Sequence, residues 1–374
     1  MLVAGLLVSG LPIAEQLAAQ NNDKASAEKK VPERFKPRLT LVGHSARVHS
    51  VLFSPDGKLL ISAAAKDPAL KIWDAATGKE VRTILAVEGG FGRPVFSPDG
   101  KSLAAVSDGA VRIWDVATWE EKTKLKDSSA SNVVFSPDGK VLAGWDGIYP
   151  TEVVLKLWDT KTWKELGTLK ENDRHMQSFS AAAFAADRKT LVLGGWPKAG
   201  DSVDQIRLWN WIEKKPIGTL KTGDGNCRCL AFTRDGKTLL TLNTLGELTF
   251  WDFKDSRETK TLKLGAVGAF ALSPDEKIVA ATRMVTTKKD KYIHYSGDVD
   301  LWDTASGKKL ITIPMETGGM CPAFSPKGDM LAVGCAGKFK LEDKMYTVND
   351  DMHQPEGGLI RVWNLRDLGI RAKE

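Results

Sequence analysis

Apolar and polar residues alternate in short runs along most of the chain, and the most regular of these runs end on tryptophan. In Val111-Arg112-Ile113-Trp114 and Ile206-Arg207-Leu208-Trp209 every second side chain is apolar, the period of a β-strand with one covered face. A Trp followed by Asp or Asn closes such a run at Trp73, Trp114, Trp158, Trp209, Trp251, Trp302 and Trp363, with spacings of 41, 44, 51, 42, 51 and 61 residues. A recurrence of that length marks a repeat architecture.

Upstream of each Trp lies one turn theme. Phe53-Ser54-Pro55-Asp56-Gly57 is its clearest copy, and Phe96 to Gly100, Phe135 to Gly139, Phe184 to Arg188, Phe232 to Gly236, Leu272 to Glu276 and Phe324 to Gly328 are the others. Pro presets the first corner, Asp bonds locally to the chain and Gly accepts the positive φ that closes a hairpin. This turn joins a first strand to a second, and the run into Trp is a third. After a short polar turn such as Asp74 to Gly78, the alternating stretch Glu80-Val81-Arg82-Thr83-Ile84-Leu85 makes a fourth. Each repeat therefore predicts a four-stranded antiparallel sheet, and the chain an all-β fold.

Turn, Trp and period together resemble the WD-repeat family over roughly residues 36 to 364. The resemblance implies a seven-bladed β-propeller, its blades stacked around a central channel. Arg38-Leu39-Thr40-Leu41-Val42-Gly43-His44 matches a fourth strand, whereas the last Trp, Trp363, ends a third. The strands balance only if residues 38–42 complete the last blade, which also covers an open sheet edge. In this family a His before the first strand, a Ser or Thr, an Asp before the third strand and the Trp form a buried network. The resemblance assigns His44, Asp67 and Trp73 to it, with Ser62 a looser match, and leaves Asp108 in the acidic position ahead of Trp114. A hydrolase reading of His44, Ser62 and Asp67 is set aside on that ground. Leu245 and Ser296 stand at the same offset in later blades.

The repeats differ in the link from second to third strand. It is short in blade 2, at Val106-Ser107-Asp108-Gly109, but grows to about Gly144–Glu152 in blade 3, Gly194–Asp204 in blade 4, Thr282–Asp298 in blade 6 and Gly334–Gly358 in blade 7. Strand alternation puts all of these on one face, and one-sided insertions in a repeat protein point to the binding side. They hold Tyr149, Tyr292, Tyr295 and Tyr346, all four Tyr of the chain, with Trp145, Trp196, His294 and His353. Such aromatics suit an interface; the alternative is that the loops pack on one another. Trp119, Trp163 and Trp211 fall in the turns after three consecutive third strands. They either form an outer patch or each cover the outer strand of their own blade.

Lys288, Lys289 and Lys291 beside Tyr292, His294 and Tyr295 are the best candidate contacts for an anionic partner. Glu342, Asp343, Asp350 and Asp351 in the next insertion oppose that field. With a net charge of only +6 over 374 residues, nucleic acid is not the expected partner. Cys227 and Cys229, two apart in a first strand, should point to one side, but no second ligand pair follows at zinc spacing. Cys321 and Cys335 fall on neighbouring strands, and all four thiols read as small buried apolar groups. His294 and His353 with Asp350 and Asp351 are the one place to look for a metal. No catalytic, cofactor-binding or metal-ligating residue is assigned, and there is no phosphate-cradling Gly loop.

Leu2 to Ala14 is apolar over 13 residues, short of the roughly 20 a membrane helix needs. It has the length of an export signal, with Leu17-Ala18-Ala19 ahead of Gln20, although no Lys or Arg precedes it. Periplasmic or extracellular export and a cytoplasmic protein both stay open. The expected organisation is a signal-like segment 1–19, a linker 20–35, the propeller 36–366 and a tail 367–374. The expected function is a non-catalytic, monomeric scaffold that binds a protein or peptide on the insertion-bearing face, around blades 6, 7 and 1. The alternative is a small-ligand or hydrolytic site at the channel mouth, which would require His175, His294 and His353 to converge.

Overall fold

The computed structural model describes residues 32–370 apart from 88, 127–129, 146–152, 172–175, 198–205, 222–224, 266, 284, 290–291, 316–317, 336–338 and 341–356. Seven four-stranded antiparallel sheets form the blades of a β-propeller. Blades 1 to 6 run Val48–Leu85, Val95–Leu125, Asn132–Glu171, Met176–Leu220, Cys227–Lys263 and Val267–Ile313. Blade 7 takes its first three strands from Gly319–Phe324, Met330–Cys335 and Leu359–Asn364, and its outer strand from Leu39–Val42. Leu39 pairs with Val362 and Leu41 with Ile360, so the two ends of the chain close the ring as the strand count required.

The Ser-Pro-Asp-Gly turns repeat one hydrogen-bond pattern. Ser54 Oγ donates to Asp56 Oδ1 at 2.6 Å, and the Lys58 and Leu59 amides donate to Asp56 and to Ser54. Ser97–Asp99, Ser136–Asp138, Thr233–Asp235 and Ser273–Asp275 do the same. Gly57 holds φ +74° with the ring of Pro326, in the turn of blade 7, against its open side. The turns thus touch from blade to blade around the face opposite the insertions.

Apolar residues on both faces of each sheet fill the spaces between blades, and the Trp that closes each third strand lies against the preceding blade. Trp73 packs with Leu41, Ala332 and Ile360 of blade 7, and Trp363 with Ile278, Leu301 and Ile313 of blade 6. Trp119 and Trp163 adopt φ +59° and +57° at the position of Gly78. Both are half-buried against the core shared with the preceding blade, and Trp211 meets Phe184 edge-on at 6.0 Å. These indoles cover inter-blade seams and form no separate outer patch.

Residues just outside the expected domain bounds join its core at both ends. Phe35, placed in the linker, is buried, and so are Leu368 and Ile370 of the expected tail. All three join the core between blades 6 and 7. Residues 1–31 and 371–374 lie outside the described part. No helix among the described residues is long and apolar enough to cross a membrane.

Candidate interaction face

Loops that enter first strands and loops that leave second strands share one face. On it, blade 1 carries the full polar network. His44 Nδ1 lies 2.9 Å from Asp67 Oδ2 and Nε2 lies 2.7 Å from Ser62 Oγ, while Trp73 Nε1 donates to the same oxygen at 2.8 Å. One assignment of protons satisfies every group. The indole N–H donates to Ser62, the Ser62 hydroxyl to Nε2, and Nδ1–H to the Asp67 carboxylate. Ser62 is thus an equal member of the set. Burial pushes the Asp67 carboxyl up, but hydrogen bonds from His44 and from the Ser45 and Ala69 amides outweigh it and hold the pKa at about 2. All four side chains are buried, and together they lock a loop to a blade.

Asp108 keeps its place in blade 2 but has a different partner. Its carboxylate meets Arg112 at 2.8 Å, and Arg112 meets Glu121 at 2.8 Å. Trp114 is buried beside it, edge-on to Phe91 at 5.9 Å. In blade 5 Thr241 takes the role of Ser62, accepting from Trp251 at 2.9 Å. Blades 4 and 6 carry Leu193 and Ala281 there, and the indole nitrogens of Trp209 and Trp302 have no partner among the described residues.

The insertions of blades 6 and 7 join each other. Val285–Lys289 and Tyr292–Ser296 form a hairpin, and Phe339–Lys340 of blade 7 adds a third strand through Tyr292↔Lys340 and Ile293↔Phe339. Lys289, Tyr292, His294 and Tyr295 therefore share one small sheet. The blade 7 insertion rejoins its blade through Gly357 and Gly358, and the Gly358 amide donates to Ala46 O at 3.1 Å. A Cβ on Gly357 would strike the His44 carbonyl, so the return strand lies directly on the loop of the blade 1 network. On the same rim, at the ends of the outer strands of blades 7 and 1, Val42, Leu85 and Val87 are 69%, 66% and 81% exposed.

Two other candidates land elsewhere. Trp145 ends a second strand, is 4% exposed and donates its indole N–H to Phe179 O at 3.1 Å. It belongs to the core of blades 3 and 4 and is withdrawn from the candidate surface. The strand persists to residue 145, so the insertion begins after it. Trp196 also lies on a second strand, opposite Ser178, and is half-buried. Tyr149, Lys291, Tyr346 and His353, together with His175, Glu342, Asp343, Asp350 and Asp351, lie outside the described residues.

At the channel mouth, bulges at the start of first strands place side chains that alternation alone would misplace. The shift between Val48 and Ser50 leaves His49 unpaired, and that between Cys227 and Cys229 does the same for Arg228. Cys227 and Cys229 consequently face different seams, one shared with blade 4 and the other with blade 6, contrary to the expected common side. His49 Nε2 donates to Phe91 O at 3.2 Å. Burial, with Arg93 and Arg47 nearby, lowers its pKa to about 4. All four thiols are free, and burial raises those of Cys227, Cys229 and Cys321, the last to about 12. Among the described residues no group of three metal-ligating side chains converges.

A ring of seven antiparallel blades closed by its own first strand defines a β-propeller. The family profile "WD domain, G-beta repeat" matches residues 35–74 and 83–115, so this propeller carries WD repeats. It is 41% identical over 61 residues to an uncharacterized WD repeat-containing protein of Synechocystis sp., covering 16% of this chain and 18% of that one. It is 24% identical to apoptotic protease-activating factor 1 of Rattus norvegicus over 327 residues, 87% of this chain and 22% of the relative. Over 239 residues it is 28% identical to the nuclear distribution protein PAC1 of Arthroderma benhamiae, 62% of this chain and 44% of the relative. The matches span about a fifth of the length of the first two relatives. WD-repeat propellers are typically scaffolds for protein interaction.

Proposed function

We propose that this chain is a non-catalytic interaction platform that holds a protein or peptide on its insertion-bearing face, around blades 6, 7 and 1. The observation that carries this reading is the sheet shared by the blade 6 and blade 7 insertions. It ties the blade 6 hairpin to Phe339–Lys340 of the blade 7 insertion on one side of the ring, and a preorganised surface loses less entropy on binding than a free one. The exposed Val42, Leu85 and Val87 on the adjoining rim extend it with apolar surface of the kind that contacts use.

The test is a pair of variants. In one, residues 284–296 and 337–356 are replaced by tight turns; in the other, Val87→Asp places a charge on the rim. Proteins captured from the native source by the parent chain should be lost from the first and weakened with the second, while both still unfold cooperatively. An unchanged set of captured proteins on folded variants would remove the proposal.

A further inference from the structure

Three blades carry the same receptor for an ammonium group on their outer strands. In blade 1 Thr83 Oγ1 donates to Glu80 Oε1, and Lys71 Nζ sits on Glu80 Oε2 at 2.8 Å and on Thr83 Oγ1 at 3.2 Å. In blade 3 Thr168 donates to Glu165 at 2.9 Å, with Lys156 Nζ 3.9 Å from that carboxylate. In blade 5 Thr261 donates to Glu258 at 2.7 Å. The register is the same, because Lys71 faces Thr83 and Thr249 faces Thr261, while Trp73 and Trp251 face Glu80 and Glu258. Blade 5 thus keeps the carboxylate and the hydroxyl and has Thr249 where blade 1 has Lys71, the Thr249 hydroxyl lying 2.9 Å from that of Thr261.

A cleft opens beside the same pair. In blade 1 the ring of His44 fills the space above Ser62. Blade 5 has a cleft of ≈ 270 Å³ whose lining includes Thr241, Asn243, Glu247, Thr249, Glu258, Thr261 and Lys263. Thr241 and Asn243 form a buried floor. Two carboxylates and one ammonium leave this lining with one net negative charge.

We infer that the cleft on blade 5 is a binding site for a primary ammonium group, supplied by a small free amine or by a lysine side chain of a peptide. The guest NH3+ donates to Glu258 and Thr261 as Lys71 does to Glu80 and Thr83, and its carbon stem occupies the space over Thr241 that blade 1 gives to His44. A primary ammonium has three donors, two of which this arrangement takes up, and a quaternary one has none.

Calorimetric titration of the full chain with n-butylammonium, with Nα-acetyl-lysine methylamide and with tetramethylammonium tests the site. The first two should bind saturably and the third should not. A lysine compound that binds more tightly than butylammonium points to a peptide source, and the reverse to a free amine. Thr249→Lys, which installs the chain's own ammonium, should abolish binding. Glu258→Gln should weaken it by about tenfold, the order of one charge-assisted hydrogen bond. Absence of saturable binding by either primary amine would overturn the inference, as would equal binding by folded Thr249→Lys and Glu258→Gln.

Discussion

The indole N–H of Trp363 donates to the backbone carbonyl of Phe35 at 2.8 Å, joining positions 328 residues apart. Val333 occupies the site that Ser62 fills in blade 1, so the N-terminal segment supplies the acceptor that the blade lacks. Trp363→Phe keeps most of the ring and leaves that buried carbonyl unpaired, which should cost about 1–3 kcal/mol in urea unfolding. Removing residues 32–42 also uncovers Ile360 and Val362, which are 0% and 2% exposed. That truncation should open the ring and associate through its bare edge, visible as multimers in light scattering.

The Ser62 position gives a loss and a gain. Ser62→Ala strips the acceptor from Trp73 and the donor from His44, and should destabilise by roughly 1–3 kcal/mol. Ala281 stands at the same register point beneath Trp302, whose Nε1 has no partner among the described residues. Ala281→Ser should therefore raise the unfolding midpoint, by about 0.5–1.5 kcal/mol. An unchanged midpoint would show that the hydroxyl fails to reach the indole.

Two buried groups contribute to the acid limb of stability, and their windows differ. His49, at about 4 when folded against 6.5 when free, takes up its proton first in the unfolded chain. Its contribution is whole above pH 6.5 and is lost as pH drops toward 4. His49→Gln should flatten that limb. Asp67, at about 2, contributes stability that is complete above its unfolded value of 3.8 and is lost as pH falls through 2. The deficit of Asp67→Asn against the parent should accordingly shrink below pH 4 in denaturant titrations at fixed ionic strength.

Ser256 holds φ +50° at the position of Gly78, and it is exposed. A non-Gly residue in that region is strained. Ser256→Gly should stabilise by about 0.5–1 kcal/mol despite the entropy glycine adds to the unfolded chain, measured as a rise in melting temperature.

The fold was legible because its signals are local and repeated. Each Trp with its Asp or Asn, each Pro-Asp-Gly turn and each alternating run report the same blade, and the strand count alone closes the ring at Leu39 and Leu41. What was hidden depends on places where local period fails. The bulge at Arg228 rotates Cys227 away from Cys229, and nothing in that tripeptide announces it. Trp145 looks like a loop aromatic until pairing with Leu155 keeps it in the strand. The pairing of Ile293 with Phe339 links loops 46 residues apart in sequence, and the Phe35 carbonyl is a main-chain group that no residue type marks. The blade 5 cleft is legible only after blade 1 shows what its Glu and Thr hold.

The outer strand of blade 7 runs from Leu39 toward His44 on the loop side, so residues 32–38 meet the ring from the turn side. There Arg38 bonds to Asn364 and to the Ala76 carbonyl, and the chain after Trp363 stays there through Ile370. The described chain therefore enters at Pro32 and leaves at Ile370 on one pole of the disc, and the sheet shared by blades 6 and 7 stands on the other. The seam that closes the ring and the candidate binding surface can accordingly be altered independently of each other.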